Sequence, residues 1–278
     1  MNKIVLFISK RFKRWDRRMT LSKRQQFVGI TLILTFLMML TQLVSVDFRY
    51  PMVFVMALVT YALTAFALRD DLYGAEWIAL LTLPTLFTAA VALFYFLLPS
   101  RWLTRLPIVG LYAVGLYALL LTENIYNVAA SRTIALLRAA HSVGFLLTLS
   151  TFFLLAQTLY AFRFYPIVNA FGIMLIAYPL IVQILWAMEL TPKIGEKVKQ
   201  LTIVITLVLV EISWIFSLWP TRSSLRALFL TTCFYGLTGM AQQYLGDRLY
   251  KRTIWEFFSV VFIVFCIVLL GTNWHNNP

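Results

Sequence analysis

The stretch LPIVGLYAVGLYALLLT, residues 106–122, decides how this chain is folded. It carries no charge and falls within the length range that lets a helix cross the roughly 30 Å hydrocarbon core of a bilayer. Each crossing moves the chain to the other side, so whether this stretch crosses sets the side of every later loop. Counted as a span, it leaves 18 of the 24 Lys and Arg residues on the side of the N-terminus and 6 on the other. Counted as a loop, it leaves 13 against 11, and the bias inverts to 4 against 11 once the basic N-terminal tail is set aside. Basic loops stay cytoplasmic because translocating them is unfavourable. The first count obeys that rule and the second does not.

Working outward, nine apolar stretches follow: Phe27–Val46, Met52–Leu68, Trp77–Leu98, Leu106–Thr122, Val143–Phe162, Ile167–Met188, Val198–Leu218, Leu225–Leu245 and Trp255–Gly271. The sequence predicts an all-α polytopic transmembrane bundle of about nine spans, N-terminus inside and C-terminus outside, in a plasma membrane of bacterial inner-membrane type. Pro51, Pro107 and Pro166 open three spans, where a missing N–H costs no hydrogen bond. Trp77, Trp186, Trp219, Trp255 and Trp274 lie near span ends, as an aromatic belt requires. Three regions result: a basic amphipathic segment at 1–24, one helical membrane domain at 25–272 and a short tail at 273–278.

Composition agrees. Hydrophobic residues make up 61% and charged residues 13% of the chain, against about a quarter charged in a soluble domain. The formal charge of +13 is concentrated at the start, where residues 1–24 hold nine Lys/Arg against one Asp. On a helix, Ile4, Val5, Ile8, Phe12, Trp15 and Met19 share one face and the cations cover the rest, a pattern suited to anionic lipid headgroups. The expected partners are therefore the bilayer and its headgroups, with a membrane-protein partner or a second copy of the chain also open, and not nucleic acid. No cleavable signal peptide is expected. The two cysteines, Cys233 and Cys266, fall in apolar spans, so neither a disulfide framework nor a zinc site is expected. No metal and no cofactor are expected.

Polar groups inside the spans carry the functional expectations. In the eighth span, Thr232, Gly236, Gly239, Gln243 and Gly246 share one face, a small-residue seam for close helix packing. In the sixth, Asn169, Gly172, Ile176, Gln183 and Ala187 lie together, with Pro179 midway. Pro84 in the third span and Pro179 predict kinked or broken helices. In the seventh, Thr202, Thr206, Ser213 and Ser217 form a hydroxyl stripe, and Glu211 points the opposite way. A carboxylate there must be protonated, hydrated or paired, with Gln157 and Asn169 as candidate partners. Glu211, Asn169, Gln157 and Gln183 are thus the candidate substrate-binding residues.

Residues 123–142 read as an amphipathic helix at the cytoplasmic boundary. Asn124, Asn127, Ser131 and Arg138 would share a face, with Glu123 and His141 on its edge, enough to hold a phosphate or carboxylate headgroup. The headgroup-binding candidates are Glu123, Asn124, Asn127, Arg138 and His141. Glu123 and His141 would lie about 27 Å apart on a straight helix, too far to act together unless the segment folds back.

There is no HExxH, GxSxG, Walker or GxGxxG sequence. Asp70-Asp71 lacks the further acids that a carboxylate–Mg²⁺ site requires, and no catalytic residue is predicted. The reading that best fits is a carrier or lipid-translocating protein. A non-catalytic membrane scaffold or assembly subunit is the alternative, followed by a membrane-embedded enzyme acting on lipid or lipid-linked substrates.

Overall fold

A computed structural model describes residues 22–41, 48–69, 76–98, 102–129, 136–191 and 193–272. These residues contain no strand and form nine helices: α1 Lys23–Leu40, α2 Arg49–Leu68, α3 Glu76–Leu97, α4 Trp102–Ala129, α5 Leu137–Ala161, α6 Pro166–Glu189, α7 Glu196–Leu218, α8 Ser223–Leu245 and α9 Lys251–Leu270. Residues 1–21 of the amphipathic segment expected over 1–24, the tail at 273–278, Asp70-Asp71 and Ser131 lie outside the described residues.

Each expected span overlaps a helix, the first, Phe27–Val46, as far as the described residues go. Seven helices are long and apolar enough to cross a membrane, and α4, with the deciding stretch inside it, is among them. The other two, α1 and α8, are diluted by Lys23, Arg24 and two glutamines, and by serines, threonines and glycines. Local signals place the ends. Ser22 caps α1 through a reciprocal box, its Oγ accepting from Gln25 N–H at 3.4 Å while Gln25 Oε1 accepts from Ser22 N–H at 2.9 Å. Pro166 opens α6, and Leu190 closes it in the left-handed region at φ 49°.

The surface of the bundle is apolar and its interior is dotted with hydroxyls. Leu103, Leu111, Val114, Leu218, Trp255 and Leu270 are exposed, whereas Thr60, Thr148, Thr151 and Thr202 are buried. This inverts the pattern of a protein facing water, where so much contiguous exposed apolar surface is avoided. Many buried threonines are satisfied within their own helix: Thr60, Thr148 and Thr151 donate to the carbonyls of Met56, Gly144 and Leu147 at 2.7–2.8 Å. Such back-bonding is how a hydroxyl survives where no water is present.

Helix α6 sits at the centre, with every residue from Leu180 to Ala187 buried, and packs against α3, α5, α7 and α8. A helix apolar all round is a core helix. Around this core α1 lies on α2 and α4, α2 on α3, and α9 on α8. Ring stacking of Phe152 on Phe234, with centroids 4.4 Å apart, fastens α5 to α8. The prolines do not break their helices: α3 and α6 run continuously through Pro84 and Pro179. The broken helices expected there are therefore corrected. A proline takes away one backbone bond, and packing on neighbouring helices holds the rest of the ladder.

The hydroxyl stripe of α7 faces inward as expected. Thr202, Thr206 and Ser213 are buried, and Ser213 Oγ lies 2.8 Å from Tyr160 Oη of α5. Glu211, on the opposite side, is exposed.

The single surface helix expected over residues 123–142 is not formed. Residues 123–129 complete α4, and a separate helix, α5, begins at Leu137. The segment does fold back: Tyr126 Oη donates to Ala140 O at 2.9 Å, and the rings of Tyr126 and His141 lie 5.5 Å apart. The physical reason is that Glu123 and Asn127 turn inward and are buried among other helices, the reverse of a helix floating on a water boundary.

Candidate functional site

Two polar assemblies lie at one end of the bundle, where α2, α4, α6 and α8 finish and α5 begins. The first is buried. Glu123 on α4 is 0% exposed, Asn127, one turn further along, 1%, and Gln183 on α6 3%. Gln183 Nε2 donates to Glu123 Oε1 at 2.9 Å, and Asn127 Nδ2 donates to Leu68 O, the last residue of α2, at 3.3 Å. These two bonds tie three helices together at a point that sequence alone left separate.

The second assembly is an open cleft of about 740 Å³ between α5, α8 and α9. Arg138, His141 and Ser142 of α5 and Gln242, Gln243 and Arg248 at the end of α8 line its polar end. Phe145, Leu146 and Leu149 of α5, Tyr235 of α8 and Phe257 of α9 line the rest. The three aromatics form a chain across the floor, Phe145 to Tyr235 at 5.7 Å and Tyr235 to Phe257 at 5.1 Å. From Arg138 to Leu149, and from Gly246 back to Tyr235, the cleft runs about 16 Å along the helices. The gradient from cationic to apolar therefore follows the helix axes.

His141 has one nitrogen committed. Its Nε2 lies 2.8 Å from Ala187 O, and because a carbonyl only accepts, Nε2 must carry the hydrogen. The other nitrogen, Nδ1, is left as the atom that can serve a ligand. Close packing shapes the opposite wall. A Cβ placed on Gly239 would lie 2.5 Å from Cε1 of Phe257, and one on Gly236 3.1 Å from Val261. Gly236 and Gly239 of the expected seam thus face α9, and Gly239, Gln243 and Gly246 line the cleft.

The headgroup-binding candidates divide between the two assemblies. Arg138 and His141 line the cleft, while Glu123 and Asn127 are buried with Gln183. Asn124 is half-buried, its Oδ1 without a donor. The substrate-binding candidates do not come together. Asn169, at the other end of the bundle, donates to Phe164 O and Ser217 Oγ at 3.2 Å each. Gln157 is half-buried on α5 and its Oε1 has no donor. Glu211 lies on the outward face of α7 among exposed Leu207, Trp214 and Ile215. Replacing it by glutamine removes a charge from an apolar surface, so the melting temperature of Glu211→Gln in a detergent thermal melt should be unchanged or raised; a marked drop would assign it a partner. Arg248, Tyr235 and Phe257 are additions from tertiary structure, and only the basic loop after the eighth span hinted at the first.

Residues 127–271 match the family described as Protein of unknown function (DUF5656). The matched stretch holds every residue of the cleft and begins just past Glu123. No curated protein and no solved structure matches the chain.

Proposed function

The chain belongs to that family of unknown function, and we propose that it is a nine-span membrane protein which holds an anionic lipid by its headgroup in the α5–α8–α9 cleft. The role is of the carrier or lipid-translocating class and is not catalytic. One observation carries this reading: the cleft is cationic at one end and apolar along its length, the polarity of a lipid. Arg138 and Arg248 suit a phosphate, since a planar guanidinium offers paired donors to an anionic group. His141 Nδ1, Ser142 and Gln243 supply further polar contacts. The run of about 16 Å matches one leaflet, half of a hydrocarbon core of roughly 30 Å.

Orientation supports the same reading. Arg138, in the first turn of α5, and Arg248, in the loop after α8, lie at the end of the bundle that the basic-residue count assigns to the cytoplasm, where anionic headgroups give a negative surface potential. The weakly apolar α8 crosses as well, because Thr232, Gly236, Thr238 and Gly239 are buried against other helices and need not meet lipid.

The test is to purify the protein in mild detergent and identify retained lipids by native mass spectrometry. A stoichiometric anionic phospholipid is expected; retention of zwitterionic lipids alone would contradict the reading. A second reading, an assembly subunit, draws on α9, in which Val268 is the one buried residue. A mass in detergent corresponding to two or more chains would favour it.

A further inference from the structure

The buried polar assembly has acceptors to spare and no donors to fill them. Among the described residues, Glu123 Oε2, Asn127 Oδ1 and Gln183 Oε1 are all enclosed and receive no hydrogen bond. The amide orientations are fixed by what the nitrogens touch. Asn127 Nδ2 faces a backbone carbonyl and Gln183 Nε2 faces a carboxylate oxygen, and neither of those atoms can donate to an amide oxygen. Each amide therefore presents its oxygen as the unfilled end.

The nearby donors are committed elsewhere. Tyr126 gives its hydroxyl hydrogen to Ala140 O, and His141 gives Nε2–H to Ala187 O. Electrostatics adds to the demand. Helices α2, α4 and α6 end close by, at Leu68, Ala129 and Glu189, so three negative helix ends converge on one carboxylate. An enclosed acceptor left unfilled costs about 1–3 kcal/mol, and more when it is charged.

Three species could answer this. A proton on Glu123 Oε2 makes one bond and so reaches one of the two amide oxygens. A water molecule donates two bonds but leaves the carboxylate charge uncompensated. A small cation can take several oxygens as ligands at once and cancels the single negative charge. Hard oxygen donors with one carboxylate suit a monovalent ion, since divalent calcium sites recruit several carboxylates. No cluster of three His, Cys, Asp or Glu side chains occurs among the described residues, which sets this apart from a transition-metal centre.

We infer that Glu123, Asn127 and Gln183 form a binding site for a small monovalent cation of the Na⁺ type, where α2, α4 and α6 meet. The site stands independently of the lipid reading. It is also one residue pair from the cleft: Tyr126, on the next turn from Glu123, packs on His141 of the cleft wall. Occupancy of one is thereby placed to influence the other.

The experiment is a thermal melt of the purified full chain in NaCl and in choline chloride, at equal ionic strength and fixed pH. Na⁺ should raise the melting temperature in proportion to the logarithm of its concentration above the dissociation constant, by roughly 5 °C at a hundredfold excess, because a ligand stabilises the state that binds it. Glu123→Gln should abolish the rise, and Asn127→Ala should weaken Na⁺ binding about tenfold or more. Should Glu123→Gln prove too unstable to purify, the wild-type titration and Asn127→Ala still decide. Identical melting in the two salts would overturn the site, as would a Glu123→Gln chain that keeps the full Na⁺ response. A response to pH with none to Na⁺ would assign the carboxyl to a proton and overturn it equally.

Discussion

Replacing Arg138 and Arg248 together by alanine should lower affinity for an anionic phospholipid by about a hundredfold. Each arginine at the cleft mouth offers charge-assisted hydrogen bonds, worth about 1.5–3 kcal/mol apiece where they form. Both are exposed, so the lower end of that range applies, about tenfold each. On different elements, α5 and the loop after α8, the two should combine close to additively unless they grip the same phosphate oxygen. The measurement is a titration of detergent-purified protein with a fluorescent phosphatidylglycerol analogue and its phosphatidylcholine counterpart. Loss confined to the anionic probe is the expected result. An equal loss for both would mean that the arginines hold the cleft open and do not read charge. Arg→Lys at both positions should restore part of the affinity, because charge returns without the planar fork.

The second large effect concerns the wall of the cleft. Gly239→Leu places a side chain where Phe257 now sits, with even the first added carbon 2.5 Å from the ring. The ring must swing into one of the two cavities it lines, the cleft or a smaller one of about 190 Å³ beside Gly236 and Val261, or α9 must move off α8. Overpacking of this kind costs about 1–3 kcal/mol, read as a lower melting temperature, and it also fills the space a lipid chain would occupy. The variant should therefore lose anionic and zwitterionic probes alike, unlike the arginine pair. Gly110→Leu is the control: a Cβ at Gly110 on α4 meets nothing within 4 Å. Leucine favours a helix over glycine by up to about 1 kcal/mol, so that chain should melt no lower than wild type.

Much of this architecture is legible in the sequence for a simple reason. In lipid every backbone group must be satisfied within its own helix, so apolar length reports directly on crossing helices. The placement of Glu211 opposite the hydroxyl stripe was legible too, since it needs only about 100° per residue. What stayed hidden is which way a polar face turns. Residues 123–127 show one polar and one apolar side, and at a water boundary the polar side faces out. Here Glu123 and Asn127 face in, where Gln183 offers an amide across the core. That partner lies sixty residues away in sequence, and no local pattern announces it. The cleft was hidden likewise: Arg138 and the glycine seam were each visible, but nothing local says that α5 and α8 stand side by side. The expectation of no metal rested on the scarcity of histidine and cysteine and on the lack of clustered carboxylates, and a site of one carboxylate and two amides meets neither pattern.

The most direct measurement is a cryo-EM map of the full chain in nanodiscs containing phosphatidylglycerol and phosphatidylcholine. Density for one lipid should lie in the cleft, its phosphate against Arg138 and Arg248 and an acyl chain along Phe145, Leu149 and Phe257. A cleft without lipid, or a lipid whose headgroup sits at the Tyr235 end, would contradict the assignment.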